Sequence, residues 1–464
     1  MLFNSLSFFL FLPTVVLLYF VLPHRWRWIL LLIASYVFYG YWKISYLSLI
    51  ITSTVVDYFA AQGIHHAERQ SKKRAWLALS LMTNLGLLMA FKYAGWFVED
   101  VAHPFLSEDQ IGRFSAFWDF ALPVGISFYT FQTIGYTLDV YYGKAQPERN
   151  PFKFALFVSF FPQLVAGPIE RFTSLHPQLF TAQAFRYRNL QRGGRLMLYG
   201  LFIKMCIADN LAPIVDQVFR ASDAASQAQL ISGAMLFGLQ IYSDFHGYSL
   251  IAIGTAQLFG ISLMDNFNAP YTATSIRQFW SRWHISLSTW FRDYLYIPLG
   301  GNKVGQAKLA MNILIVFLVS GLWHGANWTF VAWGAMHGLA YLMERWFMGR
   351  DTSYWLNFPK WLGTMIIVFA AWIFFRSESL TDAALYINTM VTGSSSALIL
   401  GWDPVLIALV GLFILSDLHF RDRSIDAWLS EQPAWKRWSV YGLLIYCISS
   451  LAGAVQHPFI YFQF

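Results

Sequence analysis

The chain has 464 residues, of which 57% are hydrophobic and only 12% are charged. A soluble globular protein carries about 25% charged residues, so this chain has too few to cover the surface of a compact soluble fold. These proportions exclude a soluble enzyme, a disordered chain and a nucleic-acid-binding protein. They predict an all-α polytopic membrane protein, in which the formal net charge of +7 comes from Lys and Arg in cytoplasmic loops.

Apolar runs that approach the length of a membrane span recur along the whole chain. A spanning helix needs roughly 20 apolar residues, and on that basis we predict about eleven or twelve passes. The candidate spans are Leu6–Leu22, Trp28–Trp42, Tyr46–Gly63, Ala75–Val98, Phe120–Tyr142, Leu196–Val218, Leu230–Ile261, Leu309–Leu322, Trp328–Met343, Trp361–Phe375, Val405–Leu418 and Ser439–Val455.

The charges of the first loops alternate in sign and so predict the orientation of the chain. The loop after the third span is basic, with Arg69, Lys72, Lys73 and Arg74. The loop near 99–113 is acidic, with Glu99, Asp100, Glu108 and Asp109 against Arg113. Because basic loops stay in the cytoplasm, we expect the N-terminus to be extracytoplasmic. We interpret the first apolar run as a retained span and not as a cleaved signal peptide.

Two apolar segments do not have the character of plain spans. Phe152–Ile169 is short and contains Pro162, Gly167 and Pro168, which break the helical hydrogen-bond ladder. Such backbone is tolerated at membrane depth only where protein buries it or where it lines a cavity, so we predict a re-entrant segment. Tyr271–Gly301 mixes Trp, Arg and His, and we expect an amphipathic element at the cytoplasmic face.

His324 is the strongest candidate for chemistry, because ionisable residues inside apolar segments are costly and are functional candidates by default. It is flanked by Gly321 and Gly325, which permit close backbone approach, and helical spacing would bring Ser320 and Asn327 near it. An imidazole in that place can act as a general base near neutral pH. The alternative is a structural histidine hydrogen-bonded between helices.

Two further histidines have other interpretations. His284 lies among Arg282, Arg292 and Asp293, which favours a solvated interfacial side chain over a catalytic one. His337 lies thirteen residues after His324, which on one straight helix is about 220° around the axis and nearly 20 Å along it. That spacing favours a structural or supporting role for His337.

Buried acidic and basic residues form a second group of candidates. Asp244 is either the local packing partner of His246 or a contact in a substrate tunnel. Arg171, with Lys204 and Asp209, could bind an anionic donor or could be interfacial charge. The motifs of serine hydrolases, zinc proteases, P-loop proteins and dinucleotide-binding proteins are absent from the sequence. The residues alone leave an enzyme and a transporter open.

Five blocks of sequence resemble the membrane-bound O-acyltransferase superfamily, and within it the bacterial branch that acetylates alginate. They are 122–143, 159–172, 239–261, 277–303 (RQFWSRWHISLSTWFRDYLYIPLGGNK) and 320–339 (SGLWHGANWTFVAWGAMHGL). The ending FIYFQF (459–464) is also similar, and His246 departs from the serine that relatives commonly have. The resemblance implies one domain over 1–464, with N-terminal helices (1–118), a catalytic core (119–345) and C-terminal helices (346–464).

The resemblance also implies the roles of individual residues. His324 matches the active-site histidine of the superfamily and His284 the second histidine of the polar block. We expect a tunnel through the membrane, with donor on the cytoplasmic side and acceptor on the outer side. Its candidate substrate-contacting residues are Asp244, Trp283, Arg292, Trp323, Asn327, His337 and Arg171.

The implied reaction is acetyl transfer from a cytoplasmic thioester, acetyl-CoA or an acyl carrier, to an extracytoplasmic polysaccharide, most closely alginate. Peptidoglycan O-acetylation and D-alanyl transfer to teichoic acid are the alternatives of the same class, and a transporter is the alternative of another class. We expect no bound cofactor, no metal and no nucleic-acid partner. We expect the bacterial inner membrane as the location and an extracytoplasmic acetyltransferase- or esterase-like protein as the partner.

Overall fold

The computed structural model describes residues 1–118, 122–165, 167–347, 357–393, 403–452 and 459–462. Within these ranges all regular secondary structure is helical, which confirms the predicted all-α fold. The start of the predicted span at Phe120 and the end of the last one at Val455 lie outside the described residues. The described chain divides into two compact units.

The first unit comprises Met1–Gly194 and Ala252–Met264. Its helices of eight residues or more are Leu6–Val21, His24–Gly40, Leu47–His66, Gln70–Leu88, Glu108–Trp118, Ile126–Tyr141, Pro151–Ser159 and Phe172–Phe180. The predicted re-entrant segment is not one continuous helix, because the chain breaks at Phe160 before the short helix Phe161–Leu164, which carries Pro162. Pro lacks the backbone N–H that a continuous helix would use.

A buried polar cage joins three helices of the first unit. Asp57 is fully buried, and its carboxylate accepts hydrogen bonds from Ser80, from Asn84 Nδ2 at 2.7 Å and from the Thr137 hydroxyl at 3.0 Å. Ser53 in turn donates to Asn84 Oδ1 at 2.6 Å. A buried carboxylate is tolerated where donors replace its water, so this cage fixes how these helices pack.

The second unit comprises Arg195–Ile251 and Asp265–Phe464. Its helices of seven residues or more are Asp209–Arg220, Ile276–Arg282, Ile285–Phe291, Gln306–His324, Trp328–Phe347, Asn357–Arg376, Leu380–Thr392, Pro404–His419, Ile425–Glu431 and Ala434–Leu451. The helices Tyr187–Phe202 and Gln227–Leu258 each include residues of both units.

Two helices of the second unit, Gln306–His324 and Trp328–Phe347, form an antiparallel pair that we call the central hairpin. A Cβ atom on Gly321 would collide with the Phe330 carbonyl oxygen, and one on Gly334 would collide with the Phe317 carbonyl oxygen. Small residues therefore let the two backbones come into contact, as the sequence predicted for Gly321.

Five helices in the described part of the chain are long and apolar enough to cross a membrane. They are Ile44–His66, Gln70–Val101, Tyr187–Arg220, Gln306–His324 and Asn357–Arg376. Leu6–Val21 and Pro404–His419 are apolar but shorter than 18 residues. The protein is therefore a multi-pass membrane protein, and the larger span count expected from the sequence stays a prediction.

Candidate active site

The central hairpin places His324 at the end of its first helix. The helix ends there because Gly325, with an extended backbone, directs the chain out of it. A Cβ atom on Gly325 would collide with the Phe330 ring, so only glycine fits at this turn. His324 is 2% exposed and is held inside the unit.

His284 occupies the turn between the short helices Ile276–Arg282 and Ile285–Phe291. Its backbone is left-handed (φ 43°), one of two described non-glycine residues with positive φ. The side chain is completely buried and packs edge-on to Phe245, with ring centroids 4.6 Å apart. The expectation of a solvated interfacial histidine is therefore wrong, because rings of the helix Gln227–Leu258 and of the central hairpin pack against the imidazole. A strained conformation that persists in a buried turn is typical of functional sites.

The two histidines are brought together by the fold. Their ring centroids are 6.4 Å apart, although they are forty positions apart in sequence. Four aromatic rings surround His324 at centroid distances of 4.9 Å (Trp323), 5.0 Å (Trp333), 5.4 Å (Phe375) and 5.4 Å (Tyr461). The result is a buried pair of imidazoles inside an aromatic enclosure, from which bulk water is excluded.

His337 is held apart from this pair. The Trp333 ring lies 5.0 Å from His324 and 5.0 Å from His337. Trp280 donates through Nε1 to His337 Nδ1 at 3.3 Å. His337 therefore lies behind an indole ring that itself contacts His324, which agrees with the supporting role expected from the spacing.

The two candidate tryptophans pack against different neighbours. Trp323 contacts both histidines, at 4.9 Å from His324 and 6.0 Å from His284. Trp283 is fully buried and packs at 5.0 Å from Trp372 and 5.1 Å from Phe267. The amphipathic element predicted over Tyr271–Gly301 is thus a buried aromatic layer around Trp283, although its far end is exposed.

Asp244 does not form the expected packing pair with His246. Its Oδ1 lies 2.9 Å from Lys204 Nζ, and its Oδ2 accepts the backbone N–H of Ile460 at 2.8 Å. Lys204 Nζ is also 2.6 Å from Asp209 Oδ1. Lys204 is buried and paired with two carboxylates, so it is not the interfacial charge that was one alternative, and this pairing also disfavours the other alternative, an anionic donor bound by Lys204 with Arg171.

Three other candidates lie away from the histidine pair or in the other unit. Asn327 follows the end of the helix, and its amide donates to the Glu378 carbonyl at 2.7 Å, so helical spacing does not bring it to His324. The Arg292 side chain is 59% exposed and bonds to the neighbouring Asp293. Arg171 precedes the helix Phe172–Phe180 in the first unit.

Two cavities of the second unit adjoin the aromatic layer. An apolar cavity of about 800 Å³ lies between four helices and has Tyr242, Tyr271 and Phe369 in its wall. A more polar cleft of about 390 Å³ has His246, Phe267 and Ile285 among its lining, together with Arg421, Asp422 and Arg423. Ile285 directly follows His284, so the polar cleft reaches the backbone of the histidine turn.

Tyr461 is the residue that the sequence reasoning did not place in the site. Its ring lies 5.4 Å from His324 and 6.5 Å from His284. The similarity of the ending FIYFQF was noted, but spacing gives no sign that residues so far along the chain return to the histidines. In the described part of the chain, no three His, Cys, Asp or Glu side chains cluster as they would to hold a metal ion.

Comparison with known proteins indicates the family to which the chain belongs. The model of the membrane-bound O-acyltransferase family matches residues 59–381. A probable alginate O-acetylase of Azotobacter vinelandii is 41% identical over 385 residues, which cover 82% of this chain and 76% of that protein. A peptidoglycan O-acetyltransferase of Helicobacter pylori is 38% identical over 430 residues (84% and 80%).

A teichoic acid D-alanyltransferase of Streptococcus thermophilus is more distant, at 30% identity over 244 residues, which cover 49% of this chain and 58% of that protein. The family match includes both histidines and the whole of the central hairpin up to Phe347. It decides between the two classes left open by the residues, in favour of an enzyme. The chain belongs to the membrane-bound O-acyltransferase family and is a membrane O-acyltransferase.

Proposed function

We propose that the protein moves an acetyl group from a cytoplasmic thioester across the inner membrane, for O-acetylation of an extracytoplasmic polysaccharide, alginate. The observation that carries the proposal is the buried pair of His324 and His284, 6.4 Å apart, within an O-acyltransferase chain. The relatives named for alginate O-acetylation are 34–41% identical to the chain over most of its length.

His324 acts as the general base in this proposal. A thioester is already activated, so the enzyme must remove the proton of an acceptor hydroxyl while its oxygen attacks the thioester carbonyl. The new C–O bond forms, the C–S bond breaks, and the thiolate leaves with the proton that the imidazole has taken. A positioned base contributes about 10²–10⁴-fold to such a step.

His284 orients the thioester carbonyl in the same proposal. Its left-handed backbone and its buried ring fix the imidazole in one direction. A pre-oriented N–H donor stabilises the negative charge that develops on the carbonyl oxygen, and it does so more strongly where water is excluded. The aromatic enclosure around both rings supplies that exclusion.

The polar cleft is the side from which we propose that the donor enters. Arg421 belongs to its lining, as does Arg423, which also pairs with Glu431 at 3.3 Å, and Ile285 brings the cleft to the histidine turn. Acetyl-CoA and an acylated carrier protein both present a phosphopantetheine thioester, whose phosphate suits guanidinium groups. The basic loop also agrees with a cytoplasmic position for this end of the cleft.

A separate extracytoplasmic protein completes the transfer to polymer in this account. The described part of the chain offers no soluble domain that could hold a polysaccharide. Peptidoglycan and teichoic acid remain the alternative acceptors, supported by the relatives at 38% and 30% identity.

Proteoliposomes test the donor and the direction of transfer. Radiolabelled acetyl-CoA and an acetylated carrier protein are each supplied on one face, with a soluble oligosaccharide of alginate, peptidoglycan or teichoic acid and the candidate partner on the other. We expect label on the alginate oligosaccharide only when the donor is on the face of the loop 421–423. Transfer from either face, or full-rate acetylation of long polymer without any partner, would contradict the proposal.

A further inference from the structure

The described residues near the C-terminus, 459–462, form a short strap that is bonded into the second unit. The Ile460 backbone N–H donates to Asp244 Oδ2 at 2.8 Å. On either side of this bond, Phe459 packs at 4.7 Å from Tyr248 and Tyr461 at 4.9 Å from Phe245. One carboxylate oxygen thus fixes the backbone of the strap between two aromatic contacts.

The other carboxylate oxygen of Asp244 is paired with Lys204. The exposed fractions of the Lys204 and Asp244 side chains are 3% and 6%, so neither charge is solvated. Lys204 lies in the π-helical stretch Ile203–Ala208, a distortion that is frequent at functional sites. Burying an ion pair seldom adds net stability compared with apolar packing, so its presence points to a task other than stability.

The position of Tyr461 within the strap indicates what this task is. Tyr461, one residue after the tethered N–H, lies 5.4 Å from His324 and 6.5 Å from His284. We propose that Lys204 and Asp244 are positioning residues that hold the strap as one wall of the aromatic enclosure around His324 and His284. The proposal deepens the proposed function, because it rests on the two histidines being the reacting site.

The hydrogen bond between Ile460 and Asp244, which we call the tether, can be removed by a substitution at either residue. Neither substitution leaves Lys204 without a counter-ion. Asp244→Ala removes the acceptor, while Lys204 keeps Asp209 at 2.6 Å as its counter-ion. Ile460→Pro removes the donor and leaves Asp244 and Lys204 intact. Ile460 is the first residue of a 3₁₀ turn, a place where proline is tolerated. Asp244→Asn, which keeps an acceptor oxygen, and Ile460→Val are the matched controls.

The position of the strap is measured independently of turnover. Tyr461→Cys, in a chain with Cys206 and Cys447 changed to Ser, reports the strap through its rate of reaction with a maleimide in detergent. We expect slow labelling in this background, labelling about tenfold or more faster after Asp244→Ala or Ile460→Pro, and little change with the controls. An unchanged labelling rate in the first two variants would overturn the tether.

Acyl transfer is measured with Tyr461 restored. We expect Asp244→Ala and Ile460→Pro each to lower kcat per folded molecule by about 10- to 100-fold. The double variant should be no worse than either single one, because both remove the same bond. Faster labelling with normal kcat would overturn the positioning role. An active His324→Ala protein would instead overturn the proposed function, since labelling does not depend on turnover.

Discussion

The two units each bury charged or ionisable side chains, but they surround them differently. In the first unit, Asp57 accepts hydrogen bonds from Ser80, Asn84 and Thr137, so its oxygens are occupied by neighbouring helices. In the second unit, His324 and His284 lie among aromatic rings, and the walls of their enclosure come from segments distant in sequence. The cage joins helices through hydrogen bonds, whereas the enclosure holds two imidazoles with their ring centroids 6.4 Å apart.

The difference teaches how to separate structure from function in a membrane protein. Burial alone marks both Asp57 and His324 as functional candidates. What distinguishes them is their surroundings: hydrogen-bond donors of two neighbouring helices bind the Asp57 carboxylate, whereas aromatic rings enclose His324 beside His284. Removing Asp57 should therefore cost stability, and removing His324 should cost turnover.

The largest expected effect is that of His324→Ala. Loss of a general base lowers kcat by about 10²–10⁴-fold, which is roughly 3–5 kcal/mol of barrier. Single-turnover acyl transfer from a saturating thioester donor measures it. Donor binding should be retained, and its loss together with kcat would indicate that the side chain serves binding instead.

His284 offers a matched pair of variants because its backbone is left-handed. Asn and Gly both adopt that conformation without large strain, and Asn is also a good helix N-cap. We expect His284→Asn and His284→Gly to fold and to lose about 10²–10³-fold in kcat, as for loss of one oxyanion donor. Near-normal turnover in the Asn variant would show that the backbone turn matters and the imidazole does not.

Asp57→Ala tests whether the polar cage of the first unit serves stability and not the reaction. It leaves the donors of Ser80, Asn84 and Thr137 buried without their acceptor, a cost of about 1–3 kcal/mol of unfolding free energy for a group of this kind. The melting temperature in detergent should fall, while kcat per folded molecule stays within about twofold of the parent, since no reacting group changes. A selective loss of kcat would place Asp57 in the reaction.

The smallest expected effect concerns Glu148, outside the helices of the first unit. Burial acts to raise the pKa of Glu148. Hydrogen bonds from His176 at 2.6 Å and from the Asn150 N–H, together with the positive charge of His176 and Lys153, outweigh burial and lower this pKa. A lowered pKa contributes stability above the ordinary value of 4.5 that is lost as pH falls through the folded value. The melting temperature should therefore drop on acidification below about pH 4.5, and less steeply in His176→Ala. An equal fall of the melting temperature with pH in the parent and in His176→Ala would contradict this role of the His176–Glu148 pair.

The sequence predicted the fold class, because composition and apolar runs are local signals. The resemblance of two blocks named both histidines as candidates, and the fold brings their rings to 6.4 Å from each other. The sequence missed the burial of His284, since counting charged neighbours cannot show that a left-handed turn folds the imidazole inward. Asn327 was misjudged because helical spacing was carried past the helix end at His324. The Lys204–Asp244 pair and Tyr461 depend on contacts between distant segments, which no local spacing encodes.

The most direct test compares His324→Gln and Asp57→Asn on the same preparations. Both substitutions keep a polar side chain of similar size, and both variants are measured for acyl transfer per folded molecule and for melting temperature. The account predicts that His324→Gln loses at least about 10²-fold in kcat with a near-normal melting temperature, whereas Asp57→Asn melts earlier with near-normal kcat. A well-folded His324→Gln protein with near-normal acyl transfer would contradict the assignment of the active site.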